Sequence, residues 1–147
     1  MNPFRKARAA HLRLGAAGES AAARMLENAG CEILMRDCRM RSGEIDLIAR
    51  DGLQLIFVEV KTRRQKQKEE CSPAGNLRPR QKRRIYRAAL AYLKKIGNPS
   101  VPFRFDLIEV LYSRFGLSRM YHWKSHFGGR SSDYRSGSPS QPVNYFN

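Results

Sequence analysis

Two runs of alternating apolar and polar residues, EIDLIAR and LQLIFVEVK, are separated by Asp51-Gly52. An Asp-Gly pair between such runs is among the strongest short hairpin signals a sequence carries. Side chains on a strand alternate faces, so the turn decides which residues meet. A two-residue turn at Asp51-Gly52 pairs Arg50 with Leu53, Glu44 with Glu59 and Asp46 with Phe57. Asp46 and Glu59 then become diagonal neighbours on one face. A four-residue loop sets Asp46 directly opposite Glu59 on that face, whereas an odd-length loop sends the two acids to opposite faces.

The remaining elements arrange around this hairpin. LGAAGESAAARMLENA, from about Leu14 to Ala29, places Leu14, Ala17, Ala21, Met25 and Ala29 on one helical face, and Gly30 supplies a stop. CEILMRDCRM reads as a strand and Arg41-Ser42-Gly43 as a turn. From Thr62 to Leu77 the chain is polar and broken by Pro73 and Gly75, which predicts a mobile loop. A second helix starts near Pro79 and ends before Gly97, burying Ile85, Ala89, Tyr92, Leu93 and Ile96. VPFRFDLIEVLY forms a fourth strand, and a short fifth runs from Leu117 to Trp123. After Phe127 the Gly, Ser and Pro content predicts a disordered tail over residues 128–147.

A length of 147 residues suits one domain, here residues 1–127 with a basic N-terminal arm. The order helix, three strands, helix, strand defines an α/β fold with an αβββαβ core: a mixed sheet flanked by helices, with the first three strands as a meander and the second helix as a crossover. This order excludes a bundle or a sandwich.

Lysine and arginine outnumber aspartate and glutamate by 28 to 13, giving a net charge of +15. Such an excess repels itself and calls for a polyanion, so nucleic acid is the expected partner. No run approaches the roughly 18 apolar residues of a spanning helix, and no signal-peptide core is visible, which predicts a cytoplasmic protein without a membrane partner. The basic start MNPFRKARAAHLRLG reads as a solvated arm rather than a transit peptide. Cys31, Cys38 and Cys71 form no CxxC pair and read as reduced structural residues. His122 and His126 have i, i+4 spacing, but no glutamate accompanies them and no helix is evident, so no metal site is expected there.

The chemistry lies in the hairpin. Glu59 and Lys61 share a face of the third strand, and Glu44 and Asp46 share the same side of the second. In either even-loop register two carboxylates lie within roughly 5 to 8 Å beside an apolar sheet, where both cannot comfortably stay ionised without a cation. Magnesium, or manganese, suits such a pair, since it takes oxygen ligands, keeps several waters and commonly uses one or two carboxylates plus substrate phosphate. Lys61 could position or help deprotonate an attacking water, or stabilise charge on a phosphate. Acids and a lysine alternating with apolar residues also describe any half-exposed strand with cross-strand ion pairs. The hairpin between them and the basic background raise the catalytic reading level with that one.

G-E-I-D-L-I at Gly43 to Ile48, F-V-E-V-K-T-R at Phe57 to Arg63, K-R-R-I at Lys82 to Ile85 and R-F-D at Arg104 to Asp106 resemble the bacterial YraN-like family, over roughly Gly15 to Val110. The resemblance implies a restriction-endonuclease-like fold and a D...ExK centre similar to that of archaeal Holliday junction resolvases. It makes Asp46 and Glu59 metal ligands and Lys61 the catalytic lysine. Glu19, in G-E-S-A-A, matches the acid that resolvase-type nucleases contribute from their first helix; a glutamate in a first helical turn is equally favoured by the helix dipole. Glu44 belongs to the same motif and would support the metal or Lys61 indirectly.

Arg63 and Arg64 follow the site, and Arg80, Arg83, Arg84 and Arg87 occupy the outer side of the second helix; both groups could hold phosphates. The absence of a base-reading motif favours recognition of nucleic-acid structure over sequence. The sequence thus predicts a Mg-dependent endonuclease acting on branched or structured DNA, with a homodimer as one way to make two cuts. The alternatives are a non-catalytic nucleic-acid-binding protein that retains the fold, or an RNA- or ribosome-associated factor.

Overall fold

The computed structural model describes residues 2–65, 77–127 and 143–144. Its elements run α1 (Pro3–Asn28), β1 (Glu32–Met40), β2 (Gly43–Asp51), β3 (Gln54–Arg64), α2 (Pro79–Lys95), β4 (Phe103–Ser113), β5 (Gly116–Phe127) and the two-residue β6 (Val143–Asn144). The strands form one mixed sheet in the order β1-β2-β3-β4-β5-β6. β1, β2 and β3 are an antiparallel meander, and α2 crosses over so that β4 runs parallel to β3. β5 returns antiparallel to β4. The expected αβββαβ order is therefore present, extended by β5.

The sheet is covered on both faces, which is why its central strands are so apolar. One face carries Ile45, Ile48, Leu55, Phe57, Phe105, Leu107 and Leu111 against Ile85, Ala88, Ala89, Tyr92 and Leu93 of α2. The other carries Leu47, Ala49, Ile56, Val58, Val60, Ile108 and Val110 against Ala21, Ala22, Ala23, Met25 and Leu26 of α1. Alanines let α1 lie close to the strands.

Several boundaries differ from expectation. α1 begins at Pro3, far before Leu14, because Asn2 Oδ1 accepts the Phe4 N–H at 3.0 Å and proline at the first helical position is already set for a helix. The hairpin turn is centred on Gly52 and Leu53, one step later than Asp51-Gly52, with Gly52 supplying the left-handed φ of 58°. Asp51 pairs with Gln54 and Arg50 with Leu55. This is the register of the four-residue alternative, and Leu53 is left exposed at the tip. β3 runs three residues past Lys61 and β5 reaches Phe127, both supported by pairing with β4. Ile96 lies beyond the end of α2 and is exposed rather than buried. Val143 and Asn144 of the predicted tail pair with β5. The predicted loop over residues 66–76, with Cys71, and the rest of the tail lie outside the described residues. No described helix is long and apolar enough to cross a membrane.

Candidate active site

The regular β2–β3 ladder ends at Leu47 and Val58. One step further the register brings Asp46 beside Glu59, and there the Asp46 side chain replaces a ladder partner: its Oδ2 accepts the Val60 N–H at 2.8 Å. A strand donor must be satisfied somewhere, and a carboxylate that takes the role locks its own position. Asp46 also shares a side-chain hydrogen bond with Glu59. Lys61 Nζ stands 3.4 Å from Glu59 Oε1. The structure therefore brings Asp46, Glu59 and Lys61 to one place.

Glu19 joins from α1. A Cβ at Gly18 would fall 1.8 Å from Thr62 Oγ1, so the missing side chain is what seats this turn of α1 on the end of β3. Glu19, the next residue, feels the charges of Asp46, Asp37 and Glu44. Across the sheet, Gly43 approaches the Arg84 carbonyl so closely that a Cβ would meet it at 2.7 Å. That approach brings the exposed arginines of α2 to the β1–β2 turn, the end of β2 that carries Glu44 and Asp46.

Electrostatically the site is a set of acids that raise one another. Burial first, and then the Asp46 charge, lift the Glu59 carboxyl to about 8, against the pull of Lys61. Burial raises Asp46 as well, opposed by the Val60 N–H, the hydrogen bond from Glu59 and the charge of Lys61. Both carboxyls are raised, so the pair keeps a proton that an ordinary pair of acids would have lost. Glu19 is raised by burial and then by Asp46, Asp37 and Glu44. Glu19 and Asp46 thus feel further acids, Asp37 and Glu44 among them, in a chain that has only 13 acids and a net charge of +15.

The donors around this site are all oxygens, which fits a hard divalent cation, and such a cation would take the place of the shared proton. Among the described residues no three His, Cys, Asp or Glu side chains lie together so as to hold a metal ion. Two carboxylates that leave room for water and substrate oxygens match the habit of magnesium.

Over residues 18–110 the chain matches the family model described as "Uncharacterised protein family UPF0102". It belongs to the UPF0102 family. A UPF0102 protein of Symbiobacterium thermophilum is 48% identical over 98 residues, 67% of this chain and 81% of the relative. One from Pelotomaculum thermopropionicum is 43% identical over 116 residues, covering 78% and 94%. One from Nocardia farcinica is 47% identical over 114 residues, covering 78% and 88%. This is the YraN-like family that the hairpin motifs resemble, and all the site residues lie within the UPF0102 match.

Other expected residues stand apart. Arg63 donates its Nε to Glu109 Oε1 at 2.7 Å, so part of its donor set is held within the sheet. Arg64, Arg80, Arg83, Arg84 and Arg87 are exposed. Sequence reasoning missed Asp37, which lies between the pairs Arg36–Leu47 and Cys38–Ile45 and takes a left-handed φ of 50°. An aspartate within a strand pattern is the available signal, because Asp tolerates that conformation. It also missed a buried cluster in β4 and β5. Fully buried Asp106 accepts from Arg104 Nε at 3.0 Å and the Ser125 N–H at 2.9 Å, and His122 Nε2 lies 2.7 Å from its Oδ2. Arg-Phe-Asp in an otherwise apolar run was a signal for that pair, since residues two apart share a strand face.

Proposed function

We propose that this UPF0102 protein is a metal-dependent endonuclease-like protein that acts on phosphodiester bonds of structured or branched DNA, with a restriction-endonuclease-like core. The observation that carries the reading is the placement of Asp46 beside Glu59, with Asp46 Oδ2 held by the Val60 N–H at 2.8 Å and Lys61 Nζ 3.4 Å from Glu59 Oε1. Two carboxylates that cannot both ionise unaided, beside an ammonium and within a polycationic chain, suit chemistry at a phosphate. Asp46 and Glu59 would hold magnesium or manganese. Such an ion supplies Lewis-acid polarisation of the phosphate and eases deprotonation of water. Lys61 would stabilise the negative charge that grows as water attacks phosphorus and the bridging P–O bond breaks. Glu19 would help to hold the ion or its waters from α1, and Glu44 would act through its field on Asp46. Arg64 and the outer face of α2 would grip flanking phosphates, and two copies could cut a two-fold junction symmetrically.

The test incubates the full chain with labelled four-way junction, flap, duplex and single-stranded DNA and matching RNA, with and without Mg or Mn, beside Asp46→Ala and Glu59→Ala. Metal-dependent cuts that vanish in both variants support the endonuclease. Binding without cleavage of any substrate replaces it with a non-catalytic nucleic-acid-binding protein, and preference for RNA with an RNA-associated one.

A further inference from the structure

In α1 the buried residues begin at Gly18. The turns from Pro3 to Ala17 therefore bury no residue fully, Ala9, Leu14 and Gly15 being half-buried, and 15 residues at a rise of about 1.5 Å make an arm of about 22 Å. Its direction is fixed. The C-terminal end of α1 leads into Cys31, which feels Asp51 and Arg104 at the far end of the sheet, while Gly18 sits on Thr62, next to Lys61. The arm leaves the sheet at the end that carries the acid site.

Its composition is one-sided. Arg5, Lys6, Arg8 and Arg13 are exposed, and no acid precedes Glu19. Arg5 and Arg8, three apart on a helix, repel each other unless an anion lies against them. Steps of three, four and seven residues from Arg5 reach Arg8, Leu12 and Glu19, so these cations lie on the helix face that brings Glu19 to Asp46. A polyanion seated at the site would run along that face.

We infer that residues 3–17 of α1 form a clamp for duplex DNA, in which Arg5 and Arg8 on that face, with Arg13 about 120° round the helix from Glu19, bind the phosphate backbone of the substrate arm flanking the acid site. This rests on the nucleic-acid reading of the site. Arg8 and Arg5 lie 11 and 14 residues from Glu19, about 16 and 21 Å along the helix. At about 3.4 Å per nucleotide step, they meet phosphates roughly five and six nucleotides from the one at the site. Phe4 and Leu12 are exposed on the same arm, yet two apolar side chains are a sparse face for a lipid surface.

The experiment measures binding of the full chain to a fluorescent four-way junction in EDTA over a range of salt, for wild type, Arg5→Gln/Arg8→Gln/Arg13→Gln and the triple lysine variant. Circular dichroism checks that the helix persists. The glutamine triple is expected to raise Kd at least about tenfold and to flatten the log–log salt slope by roughly 2 to 3, at about 0.9 for each phosphate no longer neutralised. The lysine triple keeps most of the affinity. Hydroxyl-radical protection five to six nucleotides from the cut disappears in the glutamine triple alone. Equal Kd and slope for wild type and glutamine triple overturn the clamp, while metal-dependent cleavage in that same result leaves the active-site reading standing. Arm-dependent capture on phosphatidylserine vesicles, with DNA affinity unchanged, overturns it in favour of a membrane surface. A wild type that binds no nucleic acid overturns both.

Discussion

The Oδ2 of Asp46 accepts the main-chain N–H of Val60 at 2.8 Å. One oxygen of the carboxylate is thus engaged by the backbone, which holds the rest of the group beside Glu59. Asp46→Ala removes the acceptor of a half-buried donor and should cost about 1–3 kcal/mol in urea unfolding. Asp46→Asn keeps an amide oxygen there and should cost less. Equal losses would mean that the hydrogen bond does not hold the strands.

Divalent ions should stabilise the folded chain through the same carboxylates. At about 100 times Kd, magnesium adds about 2.7 kcal/mol by mass action, a rise in melting temperature that EDTA reverses. Asp46→Ala and Glu59→Ala should abolish the rise. A rise that survives in both variants would place the ion elsewhere.

Gly18→Ala drives a methyl group into Thr62 Oγ1, and the helix must lift from β3. Overpacking of this kind costs about 1–3 kcal/mol. Thr62→Ala removes the nearest atom and should restore part of the loss in the double variant, read from denaturation midpoints of the four proteins. Cleavage, where it occurs, should fall with the lifted helix, because Glu19 moves with it.

Asp106 predicts an acid limit. His122 and Arg104 hold its carboxyl below the usual range against the opposing effect of burial. A depressed folded value means that the stability it gives is complete above the unfolded value near 3.8 and fades as pH falls through the folded one. Melting temperature should therefore drop steeply at the acid end in wild type and less so in Asp106→Asn. At neutral pH Asp106→Ala should cost about 3–5 kcal/mol, since it removes the buried carboxylate that Arg104 and His122 share. An acid limb identical in wild type and Asp106→Asn would assign it to other carboxylates.

The hairpin was legible because its information is local. Alternation in EIDLIAR and LQLIFVEVK fixed which face each residue takes, and the two even registers both kept Asp46 with Glu59. Which register holds depended on where Gly52 turns, a choice between two turn geometries that no residue pattern separates. The arm of α1 was hidden for another reason: an apolar stripe marks a helix only where the helix is packed, and residues 3–13 are exposed apart from a half-buried Ala9. Asp37 and the Asp106 cluster take their meaning from partners far along the chain, such as His122, 16 residues from Asp106. Spacing rules that look a few positions ahead do not reach them.

Among the described residues, β1 leaves one long margin of the sheet without a neighbouring strand. A bare margin invites a second copy to zip on, yet Glu32, Arg36, Asp37 and Arg39 stud this one, and the left-handed backbone at Asp37 spoils the regular run of donors and acceptors. A second copy therefore finds no regular template along β1 to extend.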